Sequence, residues 1–113
     1  MNLTYAYIFL FIAILLEVLG TSFLKDTNGF TKFYPSLFCI TVFCICLYLI
    51  SHTMKYIPVG ITYATWSGLG IVAVSIIAVI KYKQVPNIAT MVGLILIVSG
   101  VIIVNLMNDI DAK

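Results

Sequence analysis

The hydrophobic positions of this sequence are gathered into long blocks that polar segments separate. Four apolar runs stand at residues 4–24, 34–50, 59–80 and 87–107, and the breaks between them read KDTNGFTKF, SHTMKYIP and KYKQVP. A helix that crosses a lipid bilayer needs about 20 mostly apolar residues. The pattern therefore predicts four transmembrane helices.

The segments between the runs carry helix-start and turn residues. Each of the three prolines, Pro35, Pro58 and Pro86, stands at a predicted helix start, where a missing backbone N–H costs little. Asn28-Gly29 predicts a turn in the first loop. Because the connections are short, consecutive helices must run antiparallel, which puts both termini on one side of the membrane. We expect residues 1–113 to form a single all-α transmembrane domain with no soluble domain beside it.

The composition supports a membrane protein and excludes other classes. Of the 113 residues, 63% are hydrophobic and 9% are charged, against about 45–50% and about 25% in ordinary soluble domains. A chain this short cannot bury so much apolar surface in a soluble core, so lipid must cover much of it. The net charge of +2 is too small to indicate a nucleic-acid partner. The first run is longer than the apolar part of a cleavable signal peptide (about 7–15 residues), so we expect it to be retained.

The lysines give only a weak orientation in the membrane. Loops one and three carry Lys25, Lys32, Lys81 and Lys83, whereas the opposite side carries Lys55 and Lys113. This excess favours a cytoplasmic placement of loops one and three. The bias is small, so a mixed or dual orientation stays open.

Glu17 is the only acidic residue inside a predicted span. The other acids fall in the first loop and the C-terminal tail, at Asp26, Asp109 and Asp111. Glu17 lies about 12 Å from Lys25 along the helix, too deep for its short side chain to reach the surface. A carboxyl group at that depth must face a partner helix or a watery cavity. It either hydrogen-bonds a neighbouring helix in its protonated form or binds substrate and protons, and intramembrane carboxylates are functional by default.

Small side chains accompany Glu17 on its helix face. Residues three, four or seven positions apart share a face, and among these neighbours Ala13, Gly20 and Thr21 are small. They leave room beside the carboxylate for another molecule, and Ala13 and Gly20 equally suit close packing against another helix. Both interpretations stay open at this stage. Tyr7 lies about three turns from Glu17 along the same helix.

The third run contains GITYATWSGLG and places aromatic residues at helical spacing. Tyr63, Trp66 and Gly70 share one stripe. Two aromatic rings beside a carboxylate suit an apolar cation, because the acid supplies charge and the ring faces supply cation–π contact of about 0.5–2 kcal/mol. Aromatic residues often serve instead as interface anchors, but Trp66 lies too far inside its span for that role. Gly68 and Gly70 predict a hinge or a place of close helix approach.

Gly93 and Gly100 stand seven residues apart in the fourth run and form a notch in an otherwise aliphatic helix. Such a notch predicts contact with a second copy of the chain, the alternative being packing within one chain. Four helices with one carboxylate make a thin-walled site. A second copy would close the cavity and bring a second Glu17.

The remaining reactive residues do not indicate chemistry. Cys39, Cys44 and Cys46 fit no disulfide, zinc or thioredoxin-type pattern, and we interpret them as ordinary packing residues. His52, at the end of the second run, is interpreted as an interfacial residue rather than a proton relay. The spans contain no second acid, no nucleophile–base pair and no metal-ligand cluster. We therefore predict neither an enzyme nor a bound metal or cofactor.

Three segments together resemble the small multidrug resistance transporters. They are AILLEVLGTSFLKDTNGFTKFYPS in the first part of the chain, YIPVGITYATWSGLGIV in the third run and GLILIVSGVIIVNL in the fourth. The resemblance covers essentially the whole chain. Gly20-Thr21 after the glutamate and Ser67-Gly68 after Trp66 resemble the quaternary-ammonium and multidrug subtype rather than the guanidinium-exporting subtype.

The resemblance implies a multi-pass protein of the inner (plasma) membrane that works as an antiparallel, dual-topology homodimer. Glu17 of each copy would form one shared site that binds either protons or a cationic substrate. The residues that match the rest of the family's pocket are Tyr63, Trp66, Tyr7 and Thr21. Gly93 and Gly100 match its dimerisation surface. Phe43, where well-known multidrug members have Tyr, and a third loop without an acid leave the substrate range and a heterodimer with a paralogue open.

The function that follows is proton-coupled export of lipophilic or quaternary ammonium cations, by exchange of substrate and proton at Glu17. Two alternatives remain. One is a guanidinium or polyamine exporter of the same family, which would prefer small hydrophilic cations. The other is a non-transporting membrane subunit of a larger complex, which would bind no cation and would use Glu17 only for assembly.

Overall fold

The computed structural model of the chain describes residues 2–109, which form four long helices. These are α1 (Leu3–Leu24), α2 (Phe33–Thr53), α3 (Val59–Tyr82) and α4 (Ile88–Met107), with a short 3₁₀ turn at Lys25–Thr27 after α1. All four helices are long and apolar enough to cross a membrane. The predicted all-α membrane fold is thus confirmed for these residues. Asp111 and Lys113, which the sequence places in the C-terminal tail, lie outside the described residues.

The ends of the helices follow the signals in the sequence. Asn2 and Asn87 cap α1 and α4, because each side-chain oxygen accepts a hydrogen bond from the backbone N–H three residues later. Asn28 and Gly29 adopt the left-handed conformation of the predicted turn, with φ of 48° and 70°. The structure extends α3 to Tyr82, beyond the predicted end at residue 80.

The seam between α1 and α2 repeats every seven residues and is made of small side chains. Along α2, three buried donors reach backbone carbonyls of α1: Cys39 Sγ donates to Gly20 O (3.4 Å), Cys46 Sγ to Ala13 O (3.3 Å) and Thr53 Oγ1 to Ala6 O (3.4 Å). The small residues let the two backbones approach closely, and the donors bond at the points of approach. This seam joins α1 and α2 into one tightly packed pair.

The other helices are progressively less covered. α3 packs against α1, and α4 packs against α3 at the edge of the molecule. The buried share of each span falls from 33% for α1 to 6% for α4. One chain therefore leaves most of the residues of α4 available to lipid or to a partner.

Candidate functional site

Glu17 is half-buried on α1 and turns toward α3. Its Oε1 accepts a hydrogen bond of 2.9 Å from the Thr21 hydroxyl one turn later. Its Oε2 lies against the backbone of Gly70, where an added Cβ would stand 3.0 Å from that oxygen. The absence of a side chain at Gly70 therefore gives the carboxylate its place between the two helices.

A cavity of about 390 Å³ opens beside this carboxylate, between α1 and α3. Its lining residues are Glu17, Thr21, Tyr63, Trp66, Ser67, Gly70, Ile71, Val74 and Ser75. The rings of Tyr63 and Trp66 lie side by side, with centroids 5.7 Å apart and planes inclined by 40°. The volume lies within the range of small-ligand sites, about 300–1,000 Å³. The structure thus brings four sequence-predicted site residues and Gly70 together around one space.

The threonine and serine hydroxyls of this cavity are already engaged as donors. Thr21 donates to Glu17, while Ser67 and Ser75 donate to the backbone carbonyls of Tyr63 and Ile71. Polar recognition in the cavity therefore rests mainly on the carboxylate, and its other walls are aromatic and aliphatic. Such a lining suits a ligand that carries positive charge within an apolar body.

Ala13 and Gly20 lie outside the cavity, in the seam between α1 and α2. Ala13 is fully buried, and a Cβ on Gly20 would stand 3.1 Å from the ring of Phe43. At about 100° per residue, both positions fall about 40–60° to one side of Glu17, and Thr21 falls about 40° to the other. The side of α1 that carries Ala13 and Gly20 therefore faces α2, and the side that carries Thr21 faces α3. Of the two interpretations of these small residues, close packing is the one that the contacts support.

Tyr7 also lies away from this cavity within a single chain. Its hydroxyl donates to Asn105 Oδ1 at 3.0 Å, and it lines a second cavity of about 200 Å³ near the loop between α2 and α3. Asn105 Nδ2 donates in turn to Thr65 Oγ1 at 2.7 Å, so one side chain links α1, α3 and α4. The sequence analysis did not select Asn105, although an amide inside an aliphatic span is a signal for such a link.

The two glycines predicted as a hinge serve close approaches on opposite sides of α3. A Cβ on Gly68 would stand 2.6 Å from Val101 of α4, whereas Gly70 faces Glu17 of α1. Two residues turn a helix by about 200°, which explains the opposite directions. α3 is continuous through both positions, and the hinge stays a prediction.

Gly93 and Gly100 make no close packing contact within residues 2–109. Apart from their own stretch of helix, no described atom lies within 4 Å of a Cβ built on either glycine. The intrachain alternative therefore finds no support in residues 2–109. The predicted contact with a second copy stays untested by a single chain.

The three cysteines and His52 are the residues to which the sequence analysis gave no chemical role. Cys39 and Cys46 are buried in the seam, Cys44 is exposed, and all three thiols are free. The His52 ring contacts Phe9 and Tyr48 edge-on, with centroids 6.4 Å and 4.7 Å away. No group of three or more potential metal ligands occurs in the part of the chain that the structure describes.

Comparison with known proteins gives similarity along nearly the whole chain. The family model described as Small Multidrug Resistance protein matches residues 5–97. The quaternary ammonium compound-resistance protein QacG of Staphylococcus sp. (strain ST94) is 47% identical over 103 residues, which cover 91% of this chain and 96% of QacG. QacC of Staphylococcus aureus is 48% identical over 100 residues, covering 88% and 94%. The multidrug transporter EmrE of Escherichia coli (strain K12) is 42% identical over 102 residues, covering 90% and 93%.

Proposed function

Because the chain belongs to the small multidrug resistance family, we propose that it exports lipophilic, quaternary ammonium cations in exchange for protons at Glu17. It is a multi-pass protein of the inner membrane and a transporter, not an enzyme. The observation that carries the proposal is the Glu17 carboxylate, which opens into a cavity with two aromatic rings and aliphatic walls. No comparable observation favours the two alternatives, a guanidinium or polyamine exporter and a non-transporting membrane subunit.

The lining accounts for the preferred class of substrate. A quaternary ammonium ion has no N–H to donate, so it gains from charge and from ring faces rather than from directed hydrogen bonds. Glu17 supplies the charge, and Tyr63 and Trp66 supply the rings. Ile71 and Val74 cover apolar substituents. A guanidinium ion, with five N–H donors in one plane, would instead need several acceptors around it, whereas the aromatic and aliphatic side chains of this lining offer few.

Exchange follows from competition for one carboxylate. Within a membrane, an ionised carboxylate without a counter-charge is unfavourable, so a proton and a cation compete for the same group. A bound cation stabilises the ionised form and expels that proton. A returning proton neutralises the carboxylate and releases the cation. The Thr21 hydroxyl donates to Oε1 and so helps to orient the carboxylate.

The working unit that we propose is an antiparallel homodimer. The notch formed by Gly93 and Gly100 lies on the least buried of the four helices and suits close contact with a second copy. Such a dimer would combine two Glu17 carboxylates and bring Tyr7 of each copy toward the shared site. A bend of α3 near Gly68 and Gly70 would switch access to the shared site between the two sides of the membrane. The alternative is a heterodimer with a paralogue, which the subunit composition of the purified complex would reveal.

Transport by Glu17→Gln tests the proposal directly. In proteoliposomes with an imposed pH gradient, we expect the wild type to take up tetraphenylphosphonium and Glu17→Gln to lose this uptake, because the amide neither titrates nor carries charge. Asp109→Asn is the matched control, since it removes an exposed acid outside the four helices and should transport like the wild type. Undiminished gradient-driven uptake by Glu17→Gln would contradict the proposed exchange.

A further inference from the structure

A cluster of polar groups joins the C-terminal ends of α1 and α3. This clasp consists of Ser22, Asp26, Lys81 and Tyr82. Lys81 Nζ lies 2.8 Å from Asp26 Oδ2 and donates to Ser22 O at 2.9 Å. The Tyr82 hydroxyl donates to the same carbonyl at 3.0 Å and to Asp26 Oδ1 at 3.4 Å. Two side chains of α3 therefore converge on one carbonyl and one carboxylate of α1 and its following turn.

Aromatic contacts and the helix end reinforce the clasp. The Lys81 ammonium lies 4.1 Å from the ring centroid of Phe23, and the Lys25 ammonium lies 4.7 Å from that of Tyr82. Lys81 also stands at the negative end of α1, where a cation is favoured. The sequence alone assigns Asp26 and Lys81 to separate loops and gives no sign that they meet.

The clasp lies between the Glu17 cavity and one membrane surface. The cavity lining reaches Thr21 on α1 and Ser75 on α3, and the clasp begins at the next residue of α1. Lys81 stands about 9 Å beyond Ser75 along α3. The same two helices therefore form the cavity walls and carry the clasp. Separation of α1 from α3 at this end requires these contacts to break.

Partial exposure makes the clasp suited to opening. The side chain of Lys81 is 33% exposed to solvent and that of Asp26 is 41% exposed, so water can replace either partner when the pair separates. The seam between α1 and α2 differs, because its donors and small residues are buried. The easier separation at this end of the molecule is therefore between α1 and α3.

We infer that the Asp26–Lys81 clasp is a latch that sets the rate at which the Glu17 cavity exchanges its ligand toward the side of loops one and three. Asp26 and Lys81 are positioning residues in this role and do not touch the bound cation. The inference rests on the proposed function and adds a chain-specific control of access. In an antiparallel dimer, each membrane face would carry one such latch.

Ligand release from the full-length protein in lipid nanodiscs tests the latch. We expect Lys81→Met and Asp26→Asn each to accelerate dissociation of tetraphenylphosphonium by about two- to fivefold, the range for a partly exposed ion pair. Tyr82→Phe, which removes only the hydroxyl, should act in the same direction with a smaller change. The double variant Asp26→Lys with Lys81→Asp should move the rate back toward that of the wild type. Lys83→Met is the matched control, because Lys83 forms no ion pair within residues 2–109.

The outcomes separate the latch from other roles. Opposite effects of Lys81→Met and Asp26→Asn would show that these charges act on the passing cation by attraction and repulsion, and would overturn the latch. Unchanged release rates in both variants would overturn it as well. Faster hydrogen exchange of the amides at residues 76–82 in both variants would support it independently of transport. Absence of tetraphenylphosphonium binding by the wild type would overturn the proposed function, and the latch with it.

Discussion

At the scale of single residues, the site depends on which side of Glu17 each neighbour occupies. Thr21 and Gly20 are adjacent in sequence, yet Thr21 bonds the carboxylate and Gly20 packs against Phe43. The sequence predicted the depth of Glu17 and the aromatic stripe of Tyr63 and Trp66, because both follow from helical periodicity. It could not tell which side of α1 faces α2 and which faces α3, since that depends on tertiary packing.

Gly70 provides a test of the space beside the carboxylate. We expect Gly70→Ala to weaken tetraphenylphosphonium binding by roughly fivefold or more, a cost of about 1 kcal/mol, because the new methyl group would press on Glu17 Oε2. Equilibrium binding in detergent or nanodiscs measures the change. Gly60→Ala is the matched control on the same helix, where a Cβ meets no atom within 4 Å. Equal affinities of the two variants would show that the carboxylate does not need this space.

At the scale of helices, hydrophobic length predicted the elements because the bilayer requires each span to satisfy its own backbone hydrogen bonds. The pairing of the helices was harder to predict. The seam of α1 and α2 repeats every seven residues and uses Cys39, Cys46 and Thr53 as donors. The sequence analysis interpreted the cysteines as ordinary packing residues but did not select Thr53 or Ala6. Small residues are common in membrane helices, so their spacing alone does not identify the partner helix.

Overpacking of the seam should destabilise the fold rather than the site alone. We expect Ala13→Leu to lower the thermal stability of the detergent-solubilised protein, with a cost of about 1–3 kcal/mol, because the fully buried methyl group leaves no room for a larger side chain. Ala89→Leu on α4 is the control, since Ala89 is exposed. A melting temperature of Ala13→Leu equal to that of Ala89→Leu would contradict the tight seam.

At the scale of the whole molecule, a single chain provides only part of a transport site. The Glu17 cavity lies between two helices, Tyr7 lies in a different cavity, and α4 is almost uncovered. Exposed aliphatic side chains are ordinary on a surface that faces lipid, so they do not by themselves indicate a partner. The paired glycines of α4 do, because they have no contact within residues 2–109 that would require small size.

Gly100→Leu tests this surface without disturbing the interior of the chain. A Cβ there meets no atom outside its own helix backbone within 4 Å, so we expect the monomer to fold as before. Close approach of a second α4 would be blocked, and we expect the dimer fraction and gradient-driven uptake to fall together. Light scattering of the solubilised protein and proteoliposome uptake measure the two quantities. Gly60→Leu is the control at the start of α3, where a Cβ also has open space, and it should leave the dimer intact. A Gly100→Leu variant that remains dimeric and active would place the partner contact on another surface and would leave the notch of α4 to lipid.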